Sequence, residues 1–172
     1  GRVKKYKVDN DGRKQIIQIY NKDQFFGYSA VLSGEVYGDC ASAIEDTEVS
    51  IISIDDFSVV LDKIPLFSKS LLKSLSHEFS VMANIISMLS QRSVRERIAI
   101  SLIVLENVYS PNDSELADIS ISKGDIANMA GTTPETLARI LHDFKDEKLI
   151  KTNGKKIIIN NKTELEKVSN FL

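Results

Sequence analysis

Residues 119–160, ISISKGDIANMAGTTPETLARILHDFKDEKLIKTNGKKIIIN, permit few folds. Ser122 with Asp125 three residues on is a weak capping box, which opens a short helix over 123–129. Ala130-Gly131-Thr132 breaks the pattern, and Gly131 is free to take the positive φ of a tight turn. Thr133 suits an N-cap, Pro134 the first helical position and Glu135 the positive first turn. The second helix is expected to run to about Glu147, with Leu137, Ile140, Leu141 and Phe144 on its buried face. Asn153-Gly154 then marks a hairpin between LIKT and KKIIIN. Helix, glycine turn, helix and hairpin make the outline of a winged helix-turn-helix, whose second helix would enter a DNA major groove.

Upstream, 66–92 contains neither Gly nor Pro. Leu72, Leu75, Phe79, Met82, Ile86 and Leu89 recur there at alternating spacings of three and four. That is the seam of a coiled coil, with polar flanks at Lys73, Ser74, His77, Glu78, Ser87 and Gln91, and it predicts a homodimer. A helix packed only on its own domain is the blander alternative. Ser93 and Glu96 offer a capping box for a new helix, so a hinge is expected near 91–94. That helix would bury Ile98, Ala99, Leu102, Ile103 and Leu105; a polar loop over 110–118 follows, and a last helix is expected over 163–168.

The first 54 residues read as antiparallel strands of a small sandwich or barrel. Asp9-Asn10-Asp11-Gly12 is the turn of a hairpin. Phe25 and Phe26 look like core, and Gly27 and Gly34 mark bends. Residues 37–44 and 47–54 read as two further strands, and Asp55 or Asp56 would cap a short helix reaching Leu61 before Pro65 opens the long one. The fold class expected is α+β: antiparallel strands within 1–64, a dimerisation helix over 65–92 and a winged helix-turn-helix over 93–172.

Among 172 residues, Cys40 is the only cysteine, which excludes disulfides, cysteine-based zinc sites and cysteine-ligated iron–sulfur clusters within this sequence. No metal site is expected, and His77 and His142 stand apart. The net charge of −2 does not announce a nucleic-acid binder. Residues 119–162, however, carry eight basic side chains against five acidic ones, a local positive footprint. No nucleophile–base arrangement or Gly-rich phosphate loop is visible, so no enzyme is expected. No apolar run reaches the length of a membrane span, and a cytoplasmic protein is expected.

With these motifs in place the chain resembles the cyclic-AMP receptor protein / fumarate–nitrate regulator (Crp/Fnr) family of bacterial transcription factors. The resemblance runs through GRVKKYKVDNDGRKQIIQIY, FFGYSAVL, TEVSIISI and SVRERIA, and is most specific at ISKGDIANMAGTTPETLARIL, FKDEKLI and NGKKIII. It begins partway through the family's cyclic-nucleotide-binding-like β-roll, so an incomplete N-terminus is expected.

The resemblance implies that Glu135 and Arg139, one turn apart on one face, read base edges. Arginine would donate to guanine O6/N7 and glutamate accept from cytosine N4. Thr136 joins them as a base reader, and Lys123, Thr133, Lys155 and Lys156 are expected at phosphates. Expected partners are a palindromic double-stranded operator, a second copy of the chain and RNA polymerase.

The family's cyclic-nucleotide cassette is departed from. The chain has Gly27-Tyr28-Ser29 and Tyr37-Gly38-Asp39-Cys40, without the ribose-binding Glu or the phosphate-binding Arg. Burying a phosphate without a cation is costly, so cyclic AMP is not expected. Any effector is unidentified, and Tyr28, Tyr37, Asp39 and Cys40 would line its pocket. No cofactor is expected. The alternative function is a ligand-binding or protein-interaction module whose winged helix no longer binds DNA.

Overall fold

The computed structural model describes residues 1–110 and 117–170, so most of the expected polar loop at 110–118 lies outside the described residues. The N-terminal hairpin forms as its turn chemistry predicts: β1 (Val3–Val8) and β2 (Lys14–Tyr20) pair antiparallel, with a register shift between Lys5 and Tyr6. The Asp9 carboxylate closes the turn by accepting from the backbone N–H groups of Asp11 at 2.9 Å and Arg13 at 2.8 Å.

Residues 20–54 differ from the sequence expectation. Between Gly27 and Gly34, both at positive φ, lies a six-residue helix, α1 (Tyr28–Ser33), too short to show helical periodicity. Only Cys40–Ala43 of the expected strand over 37–44 pairs; this β3 lies on the other side of β1, giving the order β2-β1-β3. The expected strand over 47–54 does not form. No described strand lies beside it to take its hydrogen bonds, and Ile51 is 91% exposed. Its end is claimed instead by α2 (Ile54–Lys63). Ser53, rather than Asp55 or Asp56, is the cap, its hydroxyl accepting from Asp56 N–H at 3.1 Å. Phe25 is not core either: it is exposed, with its ring stacked on Tyr28 and Phe57.

Pro65 opens α3 (Pro65–Gln91). This helix has two apolar faces. Leu71 and Met88 are buried, and Leu71 joins Tyr28 and Phe57 in a small core with α1 and α2. The other face carries the expected seam, and Leu72, Phe79 and Ile86 are 65%, 75% and 66% exposed. α4 (Val94–Tyr109) begins at the expected capping box: the Ser93 side chain accepts from Glu96 N–H and the Glu96 carboxylate accepts from Ser93 N–H at 2.7 Å.

The C-terminal elements are α5 (Lys123–Ala130), α6 (Pro134–Asp146), β4 (Ile150–Asn153), β5 (Lys156–Ile159) and α7 (Lys162–Ser169). Ile119 adds an antiparallel bridge to Ile157 that no sequence spacing signals. The main core unites these elements with α4, and it also takes in Ile16 and Ile19 of β2. The sheet and the winged helix therefore share one apolar interior. The α+β class, with antiparallel strands, a long helix and a C-terminal helix-turn-helix, is the one expected.

Phe144 is fully buried, with the Arg95 guanidinium 4.6 Å from its ring centroid. Phe144→Ala is expected to cost about 3–5 kcal/mol of stability, read from a urea titration. A loss below about 1 kcal/mol would show that the cavity collapses and that the ring is not a keystone.

Candidate nucleic-acid interface

Local chemistry builds the helix pair. The Ser122 hydroxyl accepts from Asp125 N–H at 3.0 Å and starts α5. Gly131 ends it at φ 59°, its N–H returning to Ala127 O. Thr133 caps α6 by accepting from Thr136 N–H at 3.3 Å, and its hydroxyl lies 3.2 Å from the Thr136 hydroxyl. Both threonines thus have structural roles besides any contact with a ligand.

α6 divides cleanly. Leu137, Ile140, Leu141 and Phe144 are buried, as the spacing predicts, while Glu135, Ala138, Arg139 and His142 face outward. An i,i+4 Glu/Arg pair is ordinarily a surface ion pair. Here the two side chains do not pair, and among the described residues no hydrogen bond or ion pair engages the Arg139 guanidinium. The Glu135 carboxyl is held below the usual carboxylate range by its own backbone N–H and by the Thr133 hydroxyl, so it stays an anionic acceptor. The face thus carries one fork of donors and one acceptor, both open to solvent.

The wing hairpin forms where Asn153-Gly154 signals it, but one residue later: Asn153 pairs with Lys156, and the turn is Gly154-Lys155, with Gly154 at φ 59°. Lys123 and Lys155 are exposed, and no ion pair engages them among the described residues. Lys156 is already committed: its ammonium lies 2.6 Å from the Asp118 carboxylate. The C-terminal end of α6 is pinned by Arg95, which donates to both Glu147 oxygens at 2.8 and 2.7 Å.

In the N-terminal part of the chain, Tyr28, Tyr37, Asp39 and Cys40 line one cavity, of about 740 Å³, together with Lys5 and Tyr20. Tyr28 is buried, whereas Tyr37 and Cys40 are exposed at the rim. The phenols of Tyr28 and Tyr20 both donate to one oxygen of Glu78, at 2.8 and 3.1 Å, and Lys5 lies 3.0 Å from the other. Glu78 belongs to α3 and directly precedes Phe79 of the seam. In sequence it is only a polar flank of that seam, and no spacing signal marks a carboxylate that reaches across to another element. Burial, then the Glu78 charge, then its hydrogen bond raise the Tyr20 phenol far above its ordinary pKa. Burial followed by the Glu78 hydrogen bond does the same to Tyr28.

Comparison with known proteins now bears on both ends. Residues 1–63 match the cyclic nucleotide-binding domain model, and residues 96–168 match the Crp-like helix-turn-helix domain model. An anaerobic regulatory protein of Aggregatibacter actinomycetemcomitans is 28% identical over 98% of this chain, and a fumarate and nitrate reduction regulatory protein of Vibrio cholerae is 28% identical over 96%. The chain belongs to the Crp/Fnr family. It spans 66% of the length of each of those two relatives. FixK2 of Bradyrhizobium japonicum shares the fold, at TM-score 0.88 and 22% identity, covering 100% of this chain and 85% of that one. A Crp/Fnr-family transcriptional regulator of Eubacterium rectale does so at TM-score 0.77 and 20% identity, covering 99% and 78%. Crp/Fnr proteins are regulators rather than enzymes. No helix among the described residues is long and apolar enough to cross a membrane.

The two raised phenols give this Crp/Fnr chain a signature at high pH. An ordinary tyrosine ionises near 10.0, so above that pH the unfolded chain sheds protons that the folded one keeps. Their contribution to stability is complete below that value and lost as pH rises above it. The unfolding free energy is expected to decline between about pH 9 and 11, less steeply in Tyr28→Phe, as followed by denaturant titrations. An identical slope in the variant would show that Glu78 does not hold that phenol.

Proposed function

We propose that this chain acts as a homodimeric, sequence-specific DNA-binding transcription regulator in the cytoplasm. The observation that carries the reading is the outward face of α6. Its Arg139 fork is unengaged and its Glu135 is a fixed anion, on the second helix of a Crp-like helix-turn-helix. Arg139 donates to guanine, Glu135 accepts from cytosine, and Thr136 completes the base contacts. Lys123, Thr133, Lys155 and Lys156 meet phosphates. The seam of α3, Leu72, Leu75, Phe79, Met82, Ile86 and Leu89, pairs with the same seam of a second copy; all but Leu75, which is half-buried against the small core of its own chain, are exposed. The two recognition helices then lie about 34 Å apart on a palindromic operator. RNA polymerase is the downstream partner.

The sensor cavity takes a ligand other than cyclic AMP, or none. Its Lys5 ammonium is already neutralised by Glu78, and Asp39 and Glu48 also line the space. A phosphate beside Lys5 would meet the Glu78 and Asp39 carboxylates, and the other lysine that lines the space, Lys22, is exposed to solvent rather than buried with them.

Arg139→Ala is expected to weaken specific binding by about 1–3 kcal/mol and relax selectivity, read in a gel-shift titration at fixed salt. Unchanged operator affinity and selectivity would defeat the assignment. Phe79→Asp combined with Ile86→Asp is expected to give monomers. A dimer mass by light scattering would refute the seam.

A further inference from the structure

The last carbonyls of a helix have no partners within it and must find them elsewhere. At the end of α5 they are taken by side chains from two distant elements. Gln15 of β2 donates its amide to Met129 O at 3.1 Å. Arg97 of α4 donates Nε to Ala130 O at 2.8 Å and Nη2 to Gly131 O at 3.1 Å. The remaining arm of the same guanidinium, Nη1, donates to Arg92 O at 3.0 Å, and Arg92 is the residue that ends α3. A third element reaches the same turn. A Cβ on Gly131 would stand 2.8 Å from a methyl of Leu89, the last residue of the α3 seam, and 3.4 Å from the Gln15 side-chain oxygen.

We propose that Arg97 and Gln15 are positioning residues for DNA reading, clamping the 129–131 turn to the end of the dimerisation helix and to the sensor hairpin so that α6 is held at one pitch. The proposal rests on the reading of α6 as the DNA-recognition helix. Thr133 and Pro134 follow the turn directly, so its orientation sets that of α6. The Lys4 ammonium, 2.5 Å from Asp125 in the first turn of α5, holds the other end of that helix to β1. Guanidinium suits such a clamp, because its rigid planar fork offers five donors, enough for three carbonyls that do not move relative to one another. A lysine ammonium at the end of a flexible stem carries the same charge but cannot impose that geometry.

The clamp predicts a pattern that neither a direct DNA contact nor a simple stability role would give. One half-site needs only one correctly shaped helix-turn-helix. Two half-sites need both recognition helices at a fixed mutual orientation. The test uses the whole chain and a duplex selected with it from a random pool, in three forms: both half-sites, one half-site scrambled, and the spacer changed by one base pair.

Arg97→Lys and Gln15→Ala are each expected to weaken binding to the two-half-site duplex by about tenfold and to flatten the spacing preference, leaving single-half-site affinity within about twofold. Thermal melting is recorded for both. Should Arg97→Lys not fold, Gln15→Ala, which removes neither a charge nor the guanidinium, decides the matter. Unchanged two-site affinity in the folded variants overturns the proposal. So does an equal fall on the single-site duplex, which would make these residues direct contacts or general supports. A chain that selects no duplex at all overturns instead the DNA-recognition reading beneath.

Discussion

The 27 residues of α3 cannot satisfy both of their apolar faces within one chain, and much of the molecule follows from that. One face is covered by α1 and α2 through Leu71 and its aromatic neighbours. The other leaves Phe79, Met82 and Ile86 in water, at a cost that scales with the apolar area exposed. A contiguous stripe of this kind marks an interaction surface rather than a scatter of single exposed residues. Its narrowness and its alternating spacing suit a second identical helix better than a broad sheet or a groove. Both ends of the molecule are placed relative to this rod. The N-terminal sheet is tied to its middle by Glu78, and the helix-turn-helix to its end by Arg97 and Leu89.

Glu78 gives that middle attachment an unusual character. Two phenols and an ammonium from three different elements converge on a single carboxylate one position before a seam residue. Charge-assisted hydrogen bonds of this kind are short and directional. Each of them must break or shift if the sheet moves along the helix. Anything that enters the adjacent cavity and competes for Tyr28 or Lys5 would therefore act on the rotation of α3 about its axis, because Glu78 and Phe79 turn together.

How far the sequence could be read depended on whether the determinant was local. The helix-turn-helix was legible because its punctuation is local: Ser122, Gly131, Thr133-Pro134 and Asn153-Gly154 each dictate a backbone conformation where they stand. The long helix was legible from spacing alone. Residues 47–53 misled because β-branched composition states that a segment would suit a strand, not that a neighbour exists to pair with it. The helix at Tyr28–Ser33 escaped because six residues hold too few turns to repeat anything. Within the sites, α6 gave up its outward face by periodicity, and the four cavity residues came from the family pattern. Glu78, Gln15 and Arg97 did not. Gln15 meets Met129 across 114 positions and Arg97 meets Ala130 across 33, and nothing in a side chain's own neighbourhood announces a partner so far along the chain.

The wing offers a last consequence, in counterions. Lys156 is already neutralised by Asp118, whereas Lys123 and Lys155 carry free charge. A phosphate arriving at Lys156 meets an ion pair of no net charge, and an Asp118 freed by that contact is left close to a polyanion. Such an exchange adds little to the release of salt that drives protein association with DNA. The dependence of binding on ionic strength would therefore count chiefly the unpaired lysines at phosphates, and the Asp118–Lys156 pair would set how firmly the wing rests on the backbone while adding little to that count.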